Sequence, residues 1–119
     1  MSDSVNKTFF MGGLYKDVEI NGEGKDRHAV MSIVTTDGYK DDEGNWIETK
    51  DFHTVKTWLP HKVNYLEKHG RKGAGIFVEC KHSTRKVGEG DNAKFYDNFT
   101  SHMQHTLTIT RFAKDQDDQ

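Results

Sequence analysis

Only one stretch of this chain repeats with a helical period, and it is short. Leu59 to His69 (LPHKVNYLEKH) places Leu59, Val63 and Leu66 at i, i+4 and i+7, along one helical face. Pro60 suits the first turn, Lys68 and His69 suit the negative end of the helix dipole, and Gly70 can end the helix. On either side the residues alternate with a period of two or carry turn signals. A chain with one short helix has to build its core from strands.

The strands are read in order. Val5 to Tyr15 (VNKTFFMGGLY) is apolar and β-prone, and Gly12-Gly13 in it suggests the bulge or bend that closed β structures need at corners. Asn21 to Lys25 is a turn. His28 to Thr36 alternates, with Met31 and Ile33 on one side and Val30 and Val34 on the other, so both faces look at least partly covered. Asp37 to Asn45 (DGYKDDEGN) reads as a long hairpin loop. Trp46 to Trp58 is the return strand. In its second half Phe52, Thr54, Lys56 and Trp58 share one face, and His53, Val55 and Thr57 the other. Trp46, beside the turn, has no clear role.

After the helix, Gly75 to Val87 is a strand, with Ile76, Val78 and Cys80 pointing one way and Phe77, Glu79 and Lys81 the other. Gly88 to Asn92 is a hairpin turn. Phe95 to Phe112 is expected to be one long final strand. Phe95, Phe99, Met103, Leu107 and Ile109 form its odd face, and the polar even face looks toward solvent or a ligand. Three strands, a helix and two strands predict an all-β OB-fold: a five-stranded, partly open Greek-key barrel with its helix between strands three and four. A length of 119 residues suits one domain, placed at residues 1–112 and followed by a short acidic tail at 113–119. Closure removes most sheet edges, which explains how a chain only 33% hydrophobic can fold.

Several functions are excluded at this level. No run approaches the ~18–20 apolar residues of a membrane span. MSDSVNK has no basic segment leading into an apolar one, so no secretory signal is expected and the chain reads as cytoplasmic. The single cysteine, Cys80, can form no intrachain disulfide and no Cys-rich zinc site. His102 and His105 would face opposite sides of a strand, and His61 and His69 lie more than two helical turns apart, so no metal site is expected. The glycine pairs precede no helices, there is no G-x-S-x-G, and Cys80 points inward; neither an enzyme nor a cofactor is expected.

Charge is unevenly spread. Asp37 to Phe52 holds two basic and six acidic residues, whereas His53 to Gly88 holds eight basic and two acidic. Such a basic segment is either a polyanion site or a solvated face paired with the acidic loop. Aromatic residues are interleaved with these cations: Tyr39, Phe52, Trp58, Phe77 and Phe95 or Tyr96 among Lys40, Lys50, Lys56, Lys81, Arg85, Lys86 and Lys94. Flat rings for bases and cations for phosphates are what a single nucleic-acid strand needs. Phe77 and Phe95 are expected to fill the barrel. Tyr39, in a polar loop, and Trp58, on a face with Lys56, are expected to be exposed.

Three blocks carry a resemblance. VNKTFFMGGLYKD at Val5–Asp17, KDFHTVKTW at Lys50–Trp58 and IFVECKHSTRK at Ile76–Lys86 are similar, in order, to segments of the bacterial-type single-stranded DNA-binding proteins. The resemblance spans residues 5–112. It implies stacking aromatics at Tyr39, Phe52 and Trp58, and a phosphate-contacting pair at Arg85 and Lys86. It puts His53 at a subunit interface, and Asn6 and Lys7 are placed there too. Lys56, Lys62, Lys72 and Lys81 are expected to add phosphate contacts. Departures are Val87 where many members have a Trp, Gly13 for an Asn and Cys80 for a Gly. The sequence ends at AKDQDDQ, without the family's long tail of acidic residues and an apolar tip; either a longer tail was removed or this member lacks one, as some phage and plasmid variants do. The implied function is binding of single-stranded DNA during replication, recombination or repair, without strong sequence preference, by a homodimer or homotetramer. Replication or repair proteins are possible partners. The alternatives are a primosomal-type accessory module working through protein partners, and an RNA-binding OB domain.

Overall fold

Two thirteen-residue strands carry the architecture, β3 (His28–Lys40) and β5 (Gly75–Val87). A computed structural model describes residues 4–113. Strand β1 (Thr8–Leu14) pairs with β5 from Thr8 to Gly13 and with β3 at Gly13 and Leu14. Strand β4 (Trp46–Thr57) runs antiparallel to β3, and β6 (Lys94–Thr100) runs antiparallel to β5. The ring closes where β4 and β6 meet in parallel, at Lys56 and Thr100. Helix α1 (Pro60–His69) connects β4 to β5. This is the expected OB-fold, with a short β2 (Glu19–Asn21) added to β3 and a β7 (Leu107–Arg111) added to β5.

Closure depends on β1 changing partners, and Gly12 permits the change. A Cβ at this position would lie 2.3 Å from the Val34 carbonyl oxygen, so only glycine lets the two backbones come this close. Met31 and Ile33 of β3, Val55 of β4, and Ile76, Val78 and Cys80 of β5 then point inward, all from the parity read in the sequence. Val63 and Leu66 of α1 join this core. Gly70 ends the helix as expected, with its N–H to Leu66 O at 2.7 Å, while Leu59, read as the first helical residue, is instead the N-cap, its carbonyl accepting the Val63 N–H at 2.9 Å. Burial pushes the Cys80 thiol up to about 11, so it stays protonated and unreactive at neutral pH. Among the described residues no helix is long and apolar enough to cross a membrane.

Several expectations need correction. The β3–β4 loop is shorter than the span Asp37–Asn45: β3 continues to Lys40, and Tyr39 is a strand residue opposite Ile47. Cross-strand pairing overrides the polar composition there. Phe95 does not fill the barrel. It is 68% exposed, because β5 and β6 run on past the barrel wall as a projecting hairpin. Phe77 lies on the outward parity of β5 and is only half-buried.

The final strand is broken rather than continuous. β5 steps back three residues, from Lys81 to Val78, while its partner advances seven, from Thr100 to Leu107. The extra residues form a turn between β6 and β7, with Met103 exposed and Ser101 and His105 buried. Alternation therefore fails at 101–106. His102 and His105 are neighbours in this turn, with ring centroids 5.7 Å apart, and do not sit on opposite strand faces.

The turn is held by Lys62, which is 6% exposed. Its ammonium donates to Ser101 Oγ at 2.9 Å, His102 O at 2.6 Å and His105 O at 2.7 Å. Burial lowers its pKa from the usual lysine value, and the charge of Glu79 acts in the opposite direction. All three protons are engaged inside the chain, so Lys62 is not a phosphate contact. Replacing it with methionine strips these acceptors of their donor. Lys62→Met is expected to lower unfolding free energy by about 1–3 kcal/mol for each acceptor left buried without water, read from urea denaturation.

His105 gives the turn a pH dependence. Its Nδ1 accepts the His102 N–H at 2.9 Å and must be unprotonated to do so. Burial, then the charges of His102 and Lys62, lower its pKa below the ordinary 6.5, with Glu79 opposing. The folded value is the lower one, so this stabilisation is complete above the unfolded value of about 6.5. It is lost as the pH falls, because the unfolded chain takes up a proton that the fold resists. The melting temperature should fall between about pH 7.5 and about pH 5.5, and His105→Gln should flatten that slope relative to the parent protein.

Candidate functional site

β4 alternates by design of its sequence. Val55 and Thr57 are buried, while Trp46, Glu48, Lys50, Phe52, Thr54 and Lys56 take the opposite parity and stand on the outside of the sheet. Trp58 follows the strand and extends this face. It is 41% exposed and stacks on His28 of β3 with ring centroids 4.8 Å apart. Phe52 is 61% exposed, opposite Val34, and the Tyr15 ring meets it edge-on at 5.0 Å. The side chains beside these two rings thus hold them upright without covering them.

Cations complete the surface. Lys56 is level with Thr100 of β6, and Thr100 is level with Lys81 of β5. The three share an outward row across adjacent strands, which places the Lys56 and Lys81 backbones about 10 Å apart. Beyond this row the strands diverge as two antiparallel arms, β3–β4 and β5–β6. Arg85 is on the outward face of the second arm, opposite Tyr96. On the first arm, Lys50 lies 3.8 Å from Glu48.

The structure thus puts Phe52, Trp58, Lys56 and Lys81 on one continuous outward face, with Arg85 on the outward face of the other arm. It separates others that the sequence reading grouped with them. Tyr39 has the parity opposite to Phe52, and Lys86 has the parity opposite to Arg85, so each lies on the reverse of its arm. Lys72 lies in the loop after α1, where its N–H donates to Asp17 Oδ1 at 2.7 Å. His28 and Tyr15, the rings that support Trp58 and Phe52, were missed. The strand read from His28 to Thr36 gives His28 the parity of Val30 and Val34, and pairing that strand with β4 would have placed it on the Trp58 face. Tyr15, read as the end of the first strand, lies just past β1, and no local spacing tied it to Phe52.

The three residues assigned to a subunit interface each have partners within the chain. The Asn6 side-chain amide donates to His82 O at 2.6 Å. Lys7 pairs with Glu79 at 3.3 Å. His53 stacks on Phe10 at 4.1 Å and shares a hydrogen bond with Thr35 Oγ1 at 2.8 Å. Next to the Lys7–Glu79 pair, the outward side of β1 and β5 exposes Phe9 and Met11 beside Phe77, with Met11 level with Phe77 and the Phe9 and Phe77 rings 5.8 Å apart.

A barrel of this topology with rings and cations on its outward sheet face can be compared with known proteins. The sequence profile of the Single-strand binding protein family matches residues 5–117. The chain belongs to this family. A single-stranded DNA-binding protein of Rickettsia felis is 26% identical over 98 residues, which cover 81% of this chain and 64% of the relative. One from Rhizobium meliloti is 31% identical over 88 residues, covering 72% of this chain and 51% of the relative. The chain thus spans roughly half to two thirds of the length of these relatives. Among solved structures, that of a Plasmodium falciparum SSB in complex with ssDNA superposes with a TM-score of 0.76 at 23% identity, covering 92% of this chain and 97% of that one. A single-stranded DNA-binding protein from Thermus aquaticus gives 0.68 at 18% identity, over 90% of this chain and 52% of that one. At these identities the likeness establishes the barrel, and the site is argued from its own residues.

Proposed function

We propose that this chain binds single-stranded DNA without strong sequence preference, across the outward face of the β3–β4 arm and the Lys56–Thr100–Lys81 row. The observation that carries this is the alternation on one strand face of upright, exposed rings with cations: Phe52, Lys56 and Trp58. Every base has a flat face, so stacking on Phe52 and Trp58 selects for an unpaired strand and against none of the four bases. Lys56, Lys81 and Arg85 neutralise phosphates and release counterions. Tyr39 and Lys86 lie on the reverse of the two arms, and Lys72 at the end of α1. Contacts there suit a strand that wraps the molecule rather than lying flat on it. The binding keeps DNA unpaired and protected during replication, recombination or repair in the cytoplasm, and involves no chemistry. The names of the relatives, including the ssDNA complex from Plasmodium falciparum, support this reading.

Titration of the protein with oligo-dT and with oligo-U, followed by tryptophan fluorescence, tests it. Binding to dT should weaken as salt rises, with each phosphate contact adding roughly 0.7 to the log–log slope. Phe52→Ala should cost about 1–3 kcal/mol of affinity, the usual worth of one stacked base, and leave the melting temperature nearly unchanged. A salt-independent affinity, or equal binding of Phe52→Ala, overturns the proposal. Tighter binding of oligo-U turns it into an RNA site.

The Phe9, Met11 and Phe77 patch suits a second copy of the chain, with Lys7 and its partner Glu79 at its margin, whereas His53 stacks on Phe10 on the other side of β1. Light scattering should then report a multiple of the 13.7 kDa chain mass, and Met11→Glu should reduce it toward a single chain. A monomeric parent protein would remove this assignment without touching the DNA face.

A further inference from the structure

Trp46 begins β4 at the far end of the β3–β4 arm and is 63% exposed. Its parity is that of Phe52, so its ring belongs to the same outward face. The pose of the indole is fixed by an absence opposite it. Gly38 of β3 has no side chain, and a Cβ there would lie 2.3 Å from Trp46 Cζ2 and 2.5 Å from Cε2. The ring therefore lies over the bare backbone of β3 at Gly38. One face is covered by that backbone, and the other is left for solvent.

Packing alone does not account for so exposed a ring. Aromatic residues do cover glycines in neighbouring strands. Here, however, the end of the arm is already closed without the indole. Asp41 Oδ1 accepts the N–H of Glu43 at 3.0 Å and of Asn45 at 2.8 Å, and the backbone bonds Asp41 N–H to Asn45 O at 2.9 Å and Gly44 N–H to Asp41 O at 3.0 Å complete the turn. Lys40 is level with Trp46 across the hairpin, so the ring has a cation beside it on the same face. Like Phe52, the indole is an exposed ring on the outward face with a lysine on that same face, although Phe52 is held from the side and its lysine, Lys56, lies four residues along the strand. Trp46 is six residues from Phe52, and Phe52 is six from Trp58. At about 3.3 Å per residue the three rings are spaced at roughly 20 Å intervals along one line.

We propose that Trp46 is a further nucleobase-stacking subsite, taking a base of the same single strand that crosses Phe52 and Trp58. It rests on the reading of that face as a DNA-binding surface. It goes beyond that reading in extending the occupied path to the end of the arm, which lengthens the stretch of DNA held by each chain.

The chain has two tryptophans, so Trp58→Phe leaves Trp46 as its single indole while keeping a ring at position 58. This protein is titrated with an end-labelled oligo-dT of about 16 nucleotides, the upper end of the range for one OB domain. Label anisotropy reports binding independently of the indole. The expected result is a quench of Trp46 emission with the same midpoint as the anisotropy. Trp46→Ala in the otherwise unchanged chain should weaken binding about 5- to 150-fold, and Trp46→Phe should restore most of the loss. Anisotropy that rises while the indole emission stays constant overturns the subsite and leaves the DNA surface standing. So does parent-like affinity of Trp46→Ala. A parent protein that shows no anisotropy change overturns the DNA surface itself. Because the quench is read with Trp46 in place, it decides the matter even if Trp46→Ala folds poorly.

Discussion

The structure depends on one close approach between backbones. Gly12 lets β1 leave β5 and join β3 with no side chain between the strands. Without that passage the sheet would remain open at β1, and the inward residues of β3 and β5 would have no common interior. The opposite closure is slight, a single parallel pairing of Lys56 with Thr100. Past that pairing nothing ties the two hairpins together in the ladder, so they extend as separate arms. Thus a tight seam on one side and a minimal seam on the other produce a small barrel with a large outward surface.

Period-two alternation then divides the work between the faces. Along β4 the residues that stabilise the barrel, Val55 and Thr57, are interleaved with those that face outward, Phe52, Thr54 and Lys56. Each set can vary without disturbing the other, since successive side chains point in opposite directions. The helix adds a different device. Lys62 uses charge to hold a turn, through two backbone carbonyls that no strand pairs and one serine hydroxyl. A buried cation costs solvation, and it is tolerated because all its protons have acceptors.

How far the sequence was legible follows from the range of the interactions. The helix, the order of the main barrel strands around it, the bend at Gly12-Gly13 and the shared face of Phe52, Lys56 and Trp58 follow from local spacing, whereas the short β2 and the separate β7 do not. The break at 101–106 was not legible, because its cause, Lys62, lies 39 residues away from Ser101 and acts through the fold. Phe95 had the parity of a core residue, but parity does not reveal where the barrel ends and an arm begins. Tyr39 looked like a loop residue because its neighbours Asp41, Asp42 and Glu43 are polar, whereas its pairing with Ile47 decides its state. Trp46 was within reach: the alternation recognised from Phe52 onward continues back through Lys50 and Glu48 to the start of the strand.

The five-residue turn at 41–45 therefore has a consequence beyond joining two strands. It sets the phase of the whole arm. Asp41 and Asn45 fix which residue of β3 faces which residue of β4, from Lys40 and Trp46 back to Ala29 and Thr57. A shift of one residue would exchange the inward and outward sets together, sending Phe52 and Lys56 toward the interior and Val55 into water. The turn places no ring and no cation on the outward face. Yet changes in its length act like a frameshift in space, and they would erase the surface while leaving every one of its residues in the chain.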